Sequence, residues 1–434
     1  MNPYRIPLVV LASGERIPVL CDTSTGLPLF APTLYSLTEL RQRGLAAATL
    51  EQALRSVLVM QLTLDRTGVD LDTRLREGRL LEMSEIDSLA ADCRRSMAWL
   101  KTAAAVETTP INRRNVISLE ASRMRRAIKS DDTNLISDAT ACIRLFYIGD
   151  YLRWRLDCYL LKIGQADPRY TGLSENGQRG LKALSARIPE GRERNAENQR
   201  EAMSPEARTR LEEIINPDSP LNPWKDAHTR IRNQAIIHWL LALGVRSGEL
   251  LGVTVRDISS RSNEVFIARR PDNPNDPRPR QPLTKTMDRL LEMNEPLANL
   301  THKYIVGARR SIKGARRHDF VFVASRSGAP LSYQALAKSL ATLRNTHRDL
   351  FIGLTAHVLR HSWNEDFSDM ADETKMDPER EKKLRSRLMG WSETSGTAAT
   401  YNRRHTRRKA NDALRSIQQN VAKKKKDGEK DNGK

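Results

Sequence analysis

Apolar positions along the chain follow three rhythms. At the start, Pro7-Leu8-Val9-Val10-Leu11 and Ile17-Pro18-Val19-Leu20 are short apolar runs split by Ser13-Gly14, which predicts brief strands joined by a turn. Pro28 and Pro32 then punctuate the way into a helical region. There Leu45, Thr49, Leu50, Leu54, Val57, Leu58 and Leu62 recur at three- and four-residue intervals, one apolar face of a helix. A later helix carries Ile143, Phe146, Tyr147, Tyr151, Leu152, Trp154 and Leu156, interleaved with Arg144, Arg153 and Arg155. That stripe fits either a core face beneath solvated charge or a grip on a polyanion.

The rhythm fades over residues 166–204, which are polar and rich in Gly, Arg, Glu and Asn, the composition of an extended linker or a weak helix. It resumes at Ser204-Pro205-Glu206, with Ser204 as N-cap and Pro205 at the first helical position. Ile236, Ile237, Leu240, Leu241 and Leu243 predict a buried helix that stops at Gly244. Glu264-Val265-Phe266-Ile267-Ala268 reads as a strand and Arg280-Gln281-Pro282-Leu283 as its return, around a Pro/Asn/Asp-rich loop over 271–279. Phe320-Val321-Phe322-Val323 marks a further strand or buried edge, and beyond Leu331 helices alternate with turns. The expected division is a β-rich segment over 1–35, a helical domain over 36–165, a linker over 166–204, a second domain over 205–420 and a disordered basic tail over 421–434. The fold class is mainly α with a small β-sheet.

Charge narrows the function. The 434 residues carry a formal net charge of +19 with Arg and Lys spread along the whole chain, a balance that suits a polyanion such as nucleic acid. Cys21, Cys93, Cys142 and Cys158 form no C-x-x-C pair, which fits a reducing compartment rather than a disulfide framework or a metal site. No apolar run reaches membrane-spanning length and the N-terminus lacks the layout of a signal peptide, so a cytoplasmic location without membrane attachment is expected.

The candidate chemistry is an ordered set. Arg246 stands in Leu243-Gly244-Val245-Arg246-Ser247-Gly248-Glu249-Leu250, followed by His357-Val358-Leu359-Arg360-His361, then Met389-Gly390-Trp391, then Tyr401. A guanidinium donates two parallel hydrogen bonds to phosphate oxygens and stays ionised, so two arginines can clamp a phosphodiester. His357 and Arg360 are spaced i, i+3 on one helix face, with His361 adjoining, and an imidazole can donate to the phosphoryl oxygen or manage the nucleophile's proton. The Trp391 indole is a donor only, able to hold an oxygen but not to shuttle a proton. Glu249 could orient a neighbouring arginine or histidine, or be a plain surface carboxylate. A phenol beside arginines becomes a competent nucleophile. Attack by Tyr401 would store the bond energy in a phosphotyrosine, so rejoining needs neither ATP nor a metal.

This set resembles the tyrosine recombinase (phage-type integrase) family. The resemblance covers residues 205–420, and the helical region before it looks like that family's core-binding domain. It implies catalytic roles for Arg246, His357, Arg360, Trp391 and Tyr401, with Tyr401 as nucleophile and Glu249 and His361 in support. It further implies a C-shaped clamp on double-stranded DNA, strand exchange through a Holliday junction in a homotetramer or a hetero-assembly with other recombinases, and no cofactor. Ala410 to Val421 is the expected segment for docking on a neighbouring protomer. Three departures stand out. The family places a lysine in the β-hairpin, whereas here Arg269 and Arg270 take that position and Lys285 falls just after the expected return strand. Arginine is a poor proton donor, so either Lys285 reaches in as general acid, or Arg269 or Arg270 only stabilises the leaving charge, or cleavage is slow. The segment 370–386 is longer than usual and highly charged, suggesting a solvent-exposed insertion, and the interval from Trp391 to Tyr401 is slightly long. The leading expectation is a site-specific recombinase for a mobile element or phage. A catalytically weak accessory protein on the same fold and a relaxing topoisomerase are the alternatives.

Overall fold

The computed structural model describes residues 3–107, 134–189, 203–284, 286–392, 410–411 and 413–418. The chain divides into two compact units, Met1–Asn195 and Ala196–Lys434. It is mainly helical, with small antiparallel sheets.

In the first unit, β1 (Tyr4–Arg5) pairs with β4 (Cys21–Asp22) and β2 (Leu8–Val10) with β3 (Arg16–Pro18). Helix α1 (Phe30–Tyr35) runs on into a π-helical stretch, Ser36–Arg41. The long α2 (Ala47–Thr67) is the centre of this unit. Leu50, Leu54, Val57, Leu58 and Leu62 are all buried, as a three-and-four spacing requires of a core-facing stripe. Short helices α3 (Leu71–Arg76), α4 (Met83–Asp92) and α5 (Met97–Glu107) follow, and then α6 (Asp138–Ile163) returns across α2.

Of the aromatic stripe on α6, Tyr151 is 2% exposed and packs edge-on to Tyr35, whereas Phe146 is 59% exposed. Arg144 donates to the carbonyls of Cys93 and Arg95, and Arg155 is bonded to Asp72. Two of the three arginines thus bond to other segments of this unit. Tyr170–Ser185, read from composition as part of a linker, is a helix, α7. Its polar surface hides a sparse apolar face, on which Leu173 and Leu184 are buried.

The second unit opens with α8 (Pro205–Ile215), where the Ser204 hydroxyl accepts from the Ala207 N–H at 3.1 Å. Its central element is α9 (Ala227–Leu243), with Ile236, Ile237, Trp239 and Leu240 buried. After α10 (Ser247–Gly252) comes a three-stranded antiparallel sheet, β5 (Ile258–Ser259), β6 (Glu264–Ile267) and β7 (Arg289–Glu292). Then follow α11 (Glu295–Lys303), α12 (Tyr333–Thr346), α13 (Ala356–Glu373) and α14 (Pro378–Met389).

One expectation is corrected here. The return strand is Arg289–Glu292, in register with β6 from Glu264↔Glu292 to Ile267↔Arg289, and not Arg280–Leu283. Instead, the 271–284 segment is anchored by its own polar residues. Buried Arg278 pairs with Asp276 at 2.8 Å, donates to the Leu251 and Leu331 carbonyls, and lies over the Phe320 ring. Phe320–Val323 is buried but forms only isolated bridges, Thr254↔Phe320 and Val323↔Pro330. The 370–386 segment is largely solvent-exposed, as expected, and is ordered helix rather than loop over most of its length. It holds the end of α13 and most of α14, with Ala371 and Arg385 buried.

Candidate active site

Helix α9 ends at Gly244, whose φ of 59° lies in the left-handed region, and a Cβ there would fall 2.7 Å from Met389 Cε and from a Trp363 ring carbon. Glycine alone meets both demands. The turn delivers Arg246 as N-cap of α10. Its backbone N–H donates to Glu249 Oε2 at 2.9 Å, and its guanidinium approaches Oε1 at 3.4 Å. The Arg246 side chain remains 31% exposed while that of Glu249 is wholly buried. A buried carboxylate therefore fixes the base of this arginine and leaves part of its fork open to a ligand.

Glu249 is thus no surface carboxylate. It also accepts from the Thr286 hydroxyl at 2.6 Å and from Arg289 at 2.7 Å. Burial taken alone pushes its carboxyl up, and that is the largest single effect. The Arg289 charge, with hydrogen bonds from Arg289, Thr286 and the Arg246 N–H, outweighs it and holds the carboxyl below its usual value.

Helix α13 begins at Thr355, whose hydroxyl accepts from the Val358 N–H at 3.3 Å. Arg360 is 1% exposed, donates to the Gly244 carbonyl, and has its guanidinium carbon 5.8 Å from the centre of the Trp391 ring. His357 is exposed and His361 half-buried, with their rings edge-on at 4.3 Å. The i, i+3 spacing put His357 and Arg360 on one face, but burial separates their side chains. The guanidinium is drawn inward to a carbonyl, while the two imidazoles line the open side.

Trp391 is buried and packs with Met389 and Trp363, its backbone N–H donating to the Ser386 carbonyl at 2.9 Å. Through these contacts the Gly244–Arg246 turn, Arg360 and Trp391 share one neighbourhood. Arg270 is committed elsewhere, as both of its terminal nitrogens grip buried Asp257, at 2.9 and 2.5 Å. Arg269 is exposed, and its backbone N–H is held by Asp288. Tyr401 and Lys285 lie outside the described residues. Two further tyrosines of this unit differ in setting: Tyr304 is buried, its phenol pushed up to about 12 by burial, whereas Tyr333 is exposed on α12, its phenol also raised chiefly by desolvation.

The family comparison falls on the segment that carries this geometry. The phage integrase family matches residues 214–408. Those residues belong to that family. The phage integrase domain contains Arg246, Glu249, Lys285, His357, Arg360, Trp391 and Tyr401. Over 154 residues the chain is 28% identical to tyrosine recombinase XerD of Halalkalibacterium halodurans, a match covering 35% of this chain and 44% of that protein. Over 138 residues it is 26% identical to transposase A from transposon Tn554 of Staphylococcus aureus, covering 31% and 35%. The chain therefore spans less than half the length of these curated relatives. Among solved structures, a lambda integrase dimer bound to a COC′ core site shares 11% identity at a TM-score of 0.42, over 86% of this chain and 75% of that one. The Tn1549 transposon integrase in complex with transposon right end DNA shares 17% at a TM-score of 0.35, over 67% and 90%.

Within the phage integrase domain, correcting the return strand changes the lysine question. Lys285 falls between β6 and β7, inside the hairpin connection rather than beyond it. Its neighbours are pinned on both sides. Thr284 donates to the Ala268 carbonyl at 3.2 Å and Thr286 to Glu249, while the Leu283 carbonyl packs against Gly248 so closely that a Cβ there would be 2.4 Å away. Sequence reasoning missed Arg289 and Thr286. The available signal was Arg289 in phase with inward Leu291 on a strand whose pattern runs buried, exposed, buried, exposed.

Proposed function

We propose that this chain is a site-specific DNA recombinase that breaks and rejoins duplex DNA through a 3′-phosphotyrosyl link to Tyr401. The observation that carries the reading is the meeting of Arg360, the Gly244–Arg246 turn and Trp391 in a phage integrase domain. Two fixed guanidinium groups beside an indole form a donor set suited to a phosphate whose charge grows during substitution. In this reading the Tyr401 oxygen gives up its proton to an imidazole of the His357–His361 pair and attacks phosphorus as the bond to the 5′ oxygen breaks. Arg246, Arg360, His357 and Trp391 hold the non-bridging oxygens, and the departing 5′ oxygen takes a proton from Lys285. Lys285 is preferred over Arg269 and Arg270 because an ammonium titrates where a guanidinium does not, and because Arg270 is engaged by Asp257. The free 5′ hydroxyl of a partner strand then attacks the phosphotyrosine, and two such exchanges pass through a Holliday junction. We assign the activity to a mobile element or phage, acting as a tetramer on double-stranded DNA. Similarity to a tyrosine recombinase and to a transposon transposase supports that assignment.

The test uses nicked duplexes drawn from DNA flanking the gene, incubated with wild-type protein and with Tyr401→Phe, then run on denaturing gels. A protease-sensitive adduct with wild type only is the expected outcome. Tight binding with no adduct would overturn the reading in favour of an accessory role.

A further inference from the structure

Arg289 joins three segments that no sequence motif connects. Its Nε donates to the Leu388 carbonyl at 2.7 Å, one terminal nitrogen donates to the Thr286 hydroxyl at 3.2 Å, and the other to Glu249 Oε2 at 2.7 Å. The side chain is 5% exposed and that of Glu249 is not exposed at all. Glu249 holds the Arg246 backbone, Thr286 adjoins Lys285, and Leu388 lies in the last turn of the helix that turns at Gly390 into Trp391. The Met287 N–H also donates to the Gly390 carbonyl at 3.1 Å, and the bare Gly390 lets Thr286 and Arg289 close on that turn.

We infer that Arg289 is the positioning residue of the candidate site, setting the Arg246 turn, the hairpin connection and the Trp391 turn in one mutual geometry. The inference rests on the recombinase reading above. The chemistry needs a guanidinium here. Three acceptors on three different segments lie around one planar group, whose donors point in fixed directions along its edges. A lysine keeps the charge against Glu249 but offers one compact ammonium that cannot span Leu388, Thr286 and Glu249 together. Groups held this way matter because small displacements of a reacting constellation are amplified in rate. Residues that orient metal ligands change activity by about 10–100-fold when mutated, and the same scale is expected of a guanidinium that orients phosphate-binding groups.

The test is single-turnover cleavage of the nicked duplex at saturating DNA by wild type, Arg289→Lys and Thr286→Val, with DNA affinity and thermal stability measured in parallel. Arg289→Lys is chosen because removing the charge outright would leave Glu249 buried and unpaired, and the protein could fail to fold. Thr286→Val loses one hydroxyl of the same network and is the gentler probe. The expected result is a rate constant about 10–100-fold lower for Arg289→Lys, with a smaller loss for Thr286→Val, while reaction amplitude and DNA affinity stay close to wild type. A purely architectural role would instead reduce amplitude and melting temperature in step and leave the rate constant of the folded fraction intact. That result, or an unchanged rate constant in both variants, overturns the inference while the wild-type adduct keeps the recombinase reading alive. Absence of an adduct from wild type itself removes that reading, and the inference with it.

Discussion

Gly244 shows how much a single position carries. Its left-handed backbone ends α9, its carbonyl accepts from Arg360, and its missing side chain admits Met389 and Trp363. Alanine there must adopt a conformation costing an L-residue roughly 1–2 kcal/mol, and its methyl meets a ring that cannot fold away. Gly244→Ala should destabilise the second unit by about 2 kcal/mol, read as a lower urea midpoint with unchanged slope. Because the same carbonyl seats Arg360, DNA cleavage should fall as well. Glu249 carries the complementary lesson. An i, i+3 spacing from Arg246 allowed either an orienting carboxylate or a surface one, and burial with Arg289 and Thr286 excludes the latter.

Among the elements, α14 is the least expected. Its sequence, Pro-Glu-Arg-Glu-Lys-Lys-Leu-Arg-Ser-Arg-Leu-Met, looks solvated throughout, yet Arg385 is fully buried. It donates to the Asn364 carbonyl at 3.1 Å, to Ser368 at 2.7 Å and to Glu381, and lies 4.8 Å over the Phe367 ring. One arginine fastens α14 to α13, and α14 in turn delivers Trp391. Arg385→Met removes those bonds and leaves Glu381 without its partner, so a loss of about 3 kcal/mol is expected. Hydrogen exchange should rise first across Pro378–Met389. The hairpin shows the same principle. Arg278 and Asp276 bury their charges against one another and against carbonyls, which gives a Pro- and Asn-rich stretch a fixed path to β7.

For the molecule as a whole, the first turns of α9 hold a titratable weak point. His228 is buried, its Nδ1 is 2.9 Å from the Ser325 hydroxyl, and Arg232, Asp226 and the Tyr304 ring are its charged and aromatic neighbours. Burial first, then the Arg232 charge, lowers its pKa from 6.5 to about 4, against a weaker opposing pull from Asp226. The unfolded chain therefore takes up the proton before the folded one does. This stabilisation is present in full above pH 6.5 and is lost as pH falls towards 4, on the order of 2–3 kcal/mol across that window. Urea unfolding of wild type and His228→Gln should converge towards pH 4, since only wild type carries this slope.

Read alone, the sequence determined which residues could bear the chemistry and which stretches are helical. Both are local properties: the α2 stripe, the Ser204 cap, the order Arg246, His357-x-x-Arg360, Trp391, Tyr401. The tertiary structure decided pairings between distant positions. It set β6 against Arg289–Glu292 rather than Arg280–Leu283, turned Arg360 inward to Gly244, and buried Arg385 in a helix of charged residues. It also gathered Glu249, Thr286, Arg289 and Leu388 around one guanidinium. A buried arginine and a solvated one have the same local pattern in the chain. Only the carbonyls and carboxylates brought to it by folding distinguish them, because a buried charge persists only where such partners surround it.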